Sequence, residues 1–593
     1  MGNEVKSKHI FMFPFKWDKA IGEKNNSIKY SDRVDLEKLL SIFDNTNKNW
    51  TEWGEHIKKN DKAPIENYNE YTYFYNNVRD AIYGNDQAPN KRQNMVKIYH
   101  YKKEEQGKYI IGCKREKSNP HEKIEEQYEC KEYCLKLTKV ELKIYTTGIG
   151  ILSFFVENDK YDTLDELTQI NEYGRRIFPQ FIDLETGETD KTKEVFLAEY
   201  LKIEYGETKI EERFNEDYRV SGNKVAQIIV GMLGKRYFSS DKDAIHSYKD
   251  QELFFAIRPL IDDRMFVVSS WINDEQSKNL ASYTKNKKHK KLTSHIKDDE
   301  NKYPYLTSKE WYRYIFCEPS ICCENQSMLE QILEKHTYDR WSNYGTLYGV
   351  SYYSFVALAN EEGRKHVEKD MMTTYYQMVC LALAQRGSIL RFENELTDIS
   401  IYVMGNIEKE RTDMAIKAIQ ELYENFKFFM SGLYFREVTA QEQGIELYDL
   451  IKKVMKIEKN IETLKQDIGE LFQYANLLAA NKSAEEERKT TNAMNNLTYL
   501  GAALMVPTLI TGICGMNIIV SNEEGMNWLK LFGWVLGWCV GIGSITLGIM
   551  KKGQNRNSGK ENKKQDNGGR NLFIGVICMV IGFLVYYIVP MLG

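Results

Sequence analysis

The C-terminal part of the chain contains three long stretches without a charged side chain. They cover residues 490–522, 531–550 and 571–593. About 20 helical residues cross a bilayer core of about 30 Å, and each stretch is long enough for that. The mean hydropathy of the whole chain is -0.53, so the residues before these stretches are polar on average. We predict three membrane-spanning helices, at residues 497–517, 529–550 and 571–592.

The loops between these stretches predict the orientation, because Lys and Arg beside a span stay on the cytoplasmic side. The loop at residues 551–570 is rich in Lys and Arg and has two acidic residues, Glu561 and Asp566. The loop at residues 518–528 carries Glu523 and Glu524 and no basic residue. We therefore place the loop at residues 551–570 in the cytoplasm and the loop at residues 518–528 outside. Three spans then put the large N-terminal part in the cytoplasm and the C-terminus outside.

A stalk helix is predicted at residues 437–496, ahead of the first span. Apolar residues alternate steps of three and four, which is a heptad pattern. They are Leu447, Leu450, Val454, Ile457, Ile461, Leu464, Ile468, Leu471, Ala475 and Leu478. Such a seam fits a helix that packs on another chain, or a helix that packs on its own domain. Because Gly469 is the one Gly or Pro between Leu447 and Asn492, we expect the stalk to continue directly into the membrane.

We predict that residues 1–436 form a mixed α/β cytoplasmic domain. Two hairpins are expected, one joining strands 140–145 and 149–156 and one joining strands 254–257 and 265–269. Helices are expected at residues 371–384 and 412–429. Aromatic side chains alternate at Phe11, Phe13, Phe15 and Trp17, as in a strand, and we assign them to the core of this domain.

The charge balance excludes a globally basic nucleic-acid binder, because 81 Lys and Arg stand against 85 Asp and Glu. We expect no direct binding of nucleic acid. The sequence also lacks a phosphate-binding GxxxxGK[ST] loop, an HExxH zinc motif, a GxSxG elbow and a GxGxxG turn. Nothing in it therefore argues for an enzyme.

One face of the first predicted span carries small, hydroxyl and thioether side chains at helical spacing. This face, which we call the stripe, consists of Met494, Thr498, Gly501, Met505, Thr508 and Gly512. A small and polar face in a membrane helix is expected to meet protein or water, not lipid. Packing between helices explains the glycines, but it explains the two threonines in register less well.

The end of this span resembles the CorA-type magnesium channels. The resemblance is carried by Gly515-Met516-Asn517, preceded by Pro507, Thr508 and Gly512 and followed by a short acidic loop and a second span. The same tripeptide recurs at residues 525–527, where the preceding helix is missing. The resemblance is specific over about residues 440–550. Upstream of these residues only the architecture is similar, because the family also has an α/β domain that leads into a long stalk helix.

The resemblance implies a funnel-shaped homopentamer in a lipid bilayer, with the first spans around an ion path. Five copies of Asn517 would then form a ring at the outer mouth that binds Mg²⁺ through its water shell. Thr508, Gly512 and Thr498 would continue the path, and Gly501 would leave room for it. Met505 and Met494 would form apolar constrictions. Glu523 and Glu524 would attract cations at the outer mouth.

The opening HIFMFPFKWD and the large soluble part resemble the CorA-like proteins encoded beside type III CRISPR systems. That resemblance implies an antiviral effector in the bacterial inner (cell) membrane. It also implies opening by a nucleotide second messenger such as S-adenosylmethionine-AMP, and a functional link to a phosphodiesterase or lyase that degrades the messenger. The third predicted span and the outer loop depart from the usual CorA pattern.

A nucleotide ligand requires cationic and aromatic groups. Arg175 and Arg176 beside Tyr173 are the candidates in the sequence. The alternative is that these are surface arginines in an acidic neighbourhood, without a ligand.

Two other functions stay open at this point. One is an ordinary Mg²⁺, Co²⁺ or Ni²⁺ transporter gated by its own ion. The other is a membrane-anchored receptor or scaffold that does not conduct, in which the stripe serves packing alone.

Overall fold

The computed structural model of the protein divides the chain into two compact units, Met1–Gln473 and Tyr474–Gly593. The structure describes residues 4–22, 28–31, 36–53, 65–84, 95–102, 107–116, 128–178, 198–214, 225–234, 237–238, 254–281, 303–319, 321–405, 412–515, 536–538, 540–545, 548–549 and 567–587.

The strands among the described residues lie in the first unit. They are β1 (Ser7–Gly22), β2 (Ile28–Ser31), β3 (Trp50–Trp53), β4 (Val96–Tyr101), β5 (Gly107–Glu116), β6 (Tyr128–Tyr145), β7 (Ile149–Asn158), β8 (Tyr200–Tyr205), β9 (Thr208–Arg213), β10 (Tyr237–Phe238), β11 (Phe254–Pro259), β12 (Phe266–Ile272), β13 (Thr337–Tyr338), β14 (Leu347–Val350) and β15 (Ser354–Ala359).

The α-helices are Leu36–Thr46, Ile65–Tyr73, Asn76–Tyr83, Leu164–Gly174, Gln227–Leu233, Asp274–Ala281, Lys309–Phe316, Gln326–His336, Arg364–Met372, Thr374–Gly405, Thr412–Gly432, Glu442–Val454, Ile457–Gly515 and Asn567–Tyr587. Short 3₁₀ helices lie at Pro304–Thr307 and Ser342–Tyr344.

One sheet joins the described strands, and its main path runs in the order β13-β14-β15-β12-β1-β7-β6-β5-β8-β9. Off this path, β2 and β11 pair with β1, β10 pairs with β11, and β4 pairs with β6 and with β3. Strand β1 has apolar residues on both faces, because successive side chains of a strand point to opposite sides. Ile10 and Met12 belong to one core, and Phe11, Phe13, Phe15 and Trp17 belong to another. The prediction that these four aromatics are core residues is confirmed, since each is at most 1% exposed. An α/β domain with its sheet covered on both sides is the result.

The first predicted hairpin is confirmed, because β6 and β7 pair antiparallel around the turn at Gly148. The second is wrong. Strands β11 and β12 form where they were expected, but each pairs with β1 and not with the other. Strand β1 is 16 residues long, so β12 occupies its first half and β11 its second half.

Both helices predicted in the first unit are present, with different bounds. The helix expected at residues 371–384 is divided between two helices, Arg364–Met372 and Thr374–Gly405. The one expected at residues 412–429 is Thr412–Gly432. Both contribute buried side chains to the core that contains Ile10 and Met12.

The predicted stalk is two helices, Glu442–Val454 and Ile457–Gly515. They are separated at Met455 and Lys456, where Lys456 has a φ of 55°. The expectation of an unbroken helix from residue 447 onward is therefore wrong at this point, although neither Gly nor Pro marks it. Such a backbone conformation is unfavourable for a residue with a side chain.

The first part of the heptad seam packs on its own domain. Leu447, Val454, Ile457, Ile461, Leu464 and Ile468 are buried in the same core as Ile10 and Met12. Of the two explanations of the seam, the structure shows for these residues a helix that packs on its own domain. The boundary between the two units, at residues 473 and 474, lies inside the helix Ile457–Gly515.

In the second unit, Gly541 and Gly575 approach each other closely. A Cβ added at Gly575 would lie 2.6 Å from the carbonyl oxygen of Gly541, and one added at Gly541 would lie 2.8 Å from that of Gly575. The helix Asn567–Tyr587 therefore packs on helical residues 540–545 through a contact that has room for glycine alone.

No helix among the described residues combines the length and the apolar character needed to cross a membrane. Residues 516–535, 550–566 and 588–593, which include parts of the three predicted spans, lie outside the described residues.

Candidate functional site

The stripe lies on the C-terminal part of the helix Ile457–Gly515. All six of its residues are within this one helix, so the steps of three and four place them on one face. Thr498 donates from Oγ1 to the carbonyl oxygen of Met494 at 2.9 Å, and Thr508 donates likewise to Leu504 at 2.5 Å. Each hydroxyl proton is used inside the helix. Each oxygen retains lone pairs that can accept hydrogen bonds.

The stripe is open in a single chain. Met494 is 67% exposed and Met505 is 69% exposed. A Cβ added at Gly501 or Gly512 would meet no atom within 4 Å. Leucines on other faces, such as Leu497 at 69% exposed, are just as open. The described side chains of the C-terminal part of this helix are therefore exposed on more than one face, and exposure by itself does not distinguish the stripe.

Most of the residues that were predicted to form the outer mouth of the ion path lie outside the described residues. Gly515 is the last described residue of the helix. Met516, Asn517, Glu523 and Glu524 lie outside the described residues, so their roles stay predictions. In the part of the chain that is described, no group of three or more His, Cys, Asp or Glu side chains is placed to hold a metal ion.

Arg175 and Arg176 are buried, with 1% and 4% of their surface exposed. Arg175 donates from Nε to Glu172 Oε2 at 2.8 Å, and Arg176 donates from Nε to Glu172 Oε1 at 3.0 Å. Arg176 also pairs with Asp263. Both guanidinium groups therefore serve internal ion pairs, and the explanation of them as surface arginines is wrong.

The electrostatics of this group are those of a structural ion-pair cluster. Burial favours a higher pKa for Glu172, but Arg175 and Arg176 outweigh it and hold the pKa below its ordinary value. Tyr173 is also buried, at 8% exposed. A nucleotide would have to displace the Glu172 carboxylate to reach either arginine. Neither residue is arranged here as a ready phosphate contact, and the nucleotide site itself stays a prediction.

The polar group that no sequence motif marks is centred on Glu141 of β6, which is 3% exposed. Its carboxylate accepts hydrogen bonds from His100, Lys139 and Tyr376 at 2.9 to 3.0 Å. The buried Lys143 lies 2.9 Å from the same carboxylate. The donors come from β4, β6 and the helix Thr374–Gly405, so their meeting depends on strand pairing and helix packing that sequence spacing does not reveal.

Part of the chain is similar to known proteins. Residues 415–552 match the family model of the CorA-like Mg²⁺ transporter protein. A Schizosaccharomyces pombe protein named as a putative metal ion transporter is 30% identical over 109 residues, which are 18% of this chain and 13% of that protein. The chain thus spans about an eighth of the length of that relative. No solved structure matches the chain. The matched residues include the helix that carries the stripe, and this C-terminal part of the chain is a CorA-like domain.

Proposed function

We propose that the chain is a membrane channel for divalent cations, with Mg²⁺ as the ion that it carries. The observation that supports this most is the position of the stripe. It lies on one continuous helix, inside the residues that match the CorA-like Mg²⁺ transporter family. The proposal includes the three spans at residues 497–517, 529–550 and 571–592 and a cytoplasmic N-terminal domain.

Assembly into a homopentamer would place five stripes around one axis. The exposed Met494 and Met505 of a single chain would then face one another and form apolar constrictions that close by losing water. Rings of Thr498 and Thr508 oxygens would line the same path. Because these hydroxyls donate their protons within the helix, they would face the path as acceptors, which suits the water shell of Mg²⁺.

Asn517 is proposed to form the outermost ring of the path, with Glu523 and Glu524 raising the cation concentration outside it. An amide oxygen accepts hydrogen bonds from metal-bound water without carrying a charge. The ring would therefore bind a hydrated ion weakly enough to release it.

The second part of the proposal concerns how the channel is opened. The described strands lie before the matched residues, in the α/β unit Met1–Gln473. We assign to this domain the sensing of a nucleotide messenger such as S-adenosylmethionine-AMP, in an antiviral effector associated with type III CRISPR systems. A phosphodiesterase or lyase that removes the messenger would end the response.

The test is Mg²⁺ flux into liposomes that contain the purified full-length protein, with and without S-adenosylmethionine-AMP. We expect flux when the messenger is present and little without it. Thr508→Trp should abolish the flux. Tyr499→Trp is the matched control, because Tyr499 lies on the side of the same helix opposite Thr508.

Two results would replace this proposal by an alternative. Flux without messenger that stops at millimolar Mg²⁺ would indicate a transporter gated by its own ion. A protein that binds the messenger, never conducts, and keeps its cellular activity with Thr508→Trp would be a receptor or scaffold.

A further inference from the structure

A cavity of about 600 Å³ lies in the first unit, beside β6. This strand changes partner along its length. It pairs with β5 through Leu137 and with β4 from Glu141 onward. Between these two residues its register with β7 shifts, at Leu137 and Lys139. Such a bulge turns a side chain out of its regular direction. The sheet thus forks at the wall of the cavity, and Thr138 and Lys139 lie at the fork.

Two side chains of the wall, the ammonium group of Lys139 and the imidazole of His100, are held by the buried Glu141. Lys139 Nζ lies 3.0 Å and His100 Nε2 lies 2.9 Å from Glu141 Oε2. Burial favours a higher pKa for Glu141, but Lys139, Lys143 and His100 hold the pKa well below its ordinary value. The carboxylate therefore remains charged and fixes both groups at the cavity surface.

Two more lysines complete the cationic lining. Lys102 is exposed and forms no ion pair with the described residues. Lys8 lies 3.2 Å from Glu157, which is the one carboxylate among the lining residues, and 3.6 Å from Glu368 behind it. Lys139 and Lys8 are thus balanced by Glu141, Glu157 and Glu368, and Lys102 is the lining cation without a described carboxylate partner. The cavity therefore favours an anion beside Lys102.

Aromatic rings form the rest of the wall. Tyr101 and Tyr205 pack edge to face, with their ring centroids 5.8 Å apart. Phe155 lies under Lys139, whose Nζ is 3.8 Å from the ring centroid. Each of the three rings lines the cavity. Tyr101, Phe155 and Tyr205 are 9%, 5% and 1% exposed, so each offers a ligand only a small part of its ring. These aromatic contacts next to ammonium groups suit a ligand that has both a planar base and a phosphate, and the volume is in the range of small-molecule sites.

We infer that this cavity, lined by Lys8, His100, Lys102, Lys139, Tyr101 and Tyr205, binds a phosphorylated nucleotide. The inference rests on the proposed sensing of a nucleotide by the N-terminal domain, and it gives that ligand a location other than Arg175 and Arg176. Lys102 and Lys139 contact the phosphate, and the tyrosines contact the base. Strands β4, β6, β7 and β1 all contribute to the wall, so binding links parts of the sheet that the fork separates.

The test is equilibrium binding to the full-length protein in detergent, with three probes: S-adenosylmethionine-AMP, ATP and inorganic phosphate. The first variant is Lys102→Glu, because this exposed lysine, which pairs with no described carboxylate, can be changed without loss of folding. The matched control is Lys278→Glu, an exposed lysine in the helix Asp274–Ala281, outside the cavity. The second variant is Lys139→Gln. We expect each cavity variant to weaken binding of a nucleotide probe about tenfold or more, and the control to bind as the wild type does.

The outcomes separate the site from the proposed function. Wild-type affinity in both cavity variants would overturn the site and leave messenger sensing standing. No binding of either nucleotide by the wild-type protein would overturn both. Inorganic phosphate that binds as tightly as the nucleotides would contradict the role of the tyrosines and with it the nucleotide class.

Discussion

His9 donates from Nδ1 to Asn171 Oδ1 at 2.7 Å, although 162 positions separate the two residues in the chain. Ser7 Oγ lies 2.8 Å from the other ring nitrogen, and Ser269 Oγ lies 3.1 Å from Nδ1. His9, Asn171 and both serines are at most 1% exposed. This network joins β1, β12 and the helix Leu164–Gly174 inside the domain.

The first prediction is a loss of stability in mild acid that depends on His9. Burial lowers the pKa of His9 to about 4, and its hydrogen bond with Asn171 opposes this only in part. The unfolded chain, with an ordinary pKa of about 6.5, binds the proton first. The stabilising contribution is complete above pH 6.5 and is lost as the pH falls toward 4. We expect a loss of about 2 kcal/mol between pH 7.5 and pH 5.

Melting curves of the full-length protein at several pH values test this prediction. His9→Gln should have a lower melting temperature at neutral pH and a weaker dependence on pH below 6.5. His366→Gln, at an exposed position, is the control and should behave as the wild type. Equal pH dependence in His9→Gln and the wild type would show that another group is responsible.

The second prediction concerns Glu172, which is fully buried between Arg175 and Arg176. Glu172→Gln removes the charge that compensates two buried guanidinium groups. We expect it to destabilise the domain by about 3–5 kcal/mol, the usual cost of breaking a buried ion pair. Thermal unfolding measures the loss, with the exposed Glu275→Gln as control. If Glu172→Gln instead left stability unchanged and strengthened nucleotide binding, the arginines would regain their predicted role, because the carboxylate that competes with a phosphate for them would be gone.

Local patterns predicted those parts of the fold that depend on neighbours in sequence. The alternation from Phe11 to Trp17 predicted a core strand, and the turn at Thr147-Gly148 predicted the hairpin of β6 and β7. The period of the stripe likewise predicted one continuous helix through residues 494–512.

The features that the sequence did not predict depend on contacts between segments that are distant in the chain. Whether β11 pairs with β12 or with β1 depends on the length of β1 and on which segments pack over it. Arg175 and Arg176 have the composition of a phosphate site, and Glu172, which pairs with both, is near in sequence. The burial of this group and its pairing with Asp263 depend on packing between distant segments. The cavity was not predicted, because the fork at β6 brings Lys139 beside His100 through pairing that no single motif encodes.

The third prediction uses the break between Glu442–Val454 and Ile457–Gly515. Lys456 has a φ of 55°, and a left-handed conformation costs a residue with a Cβ about 1–2 kcal/mol. Lys456→Gly should therefore raise the melting temperature, by the equivalent of about 1 kcal/mol. Lys459→Gly, in the regular helix that follows, should lower it by a similar amount. A lower melting temperature in Lys456→Gly would mean that the side chain contributes more than the strain costs, for example through its approach to the Tyr352 ring, 5.7 Å from the centroid.

The fourth prediction tests the packing of the helix Asn567–Tyr587 on residues 540–545. A Cβ at Gly575 would lie 2.6 Å from the carbonyl oxygen of Gly541, and a backbone atom cannot move aside as a flexible side chain can. Gly575→Leu should therefore separate the two segments, and the purified protein should melt at a lower temperature in detergent. The control is Val576→Leu, at a neighbouring position that is 50% exposed, and it should melt as the wild type does. A melting temperature of Gly575→Leu equal to that of the wild type would contradict the contact, because a leucine side chain would then fit where the structure has room for glycine alone.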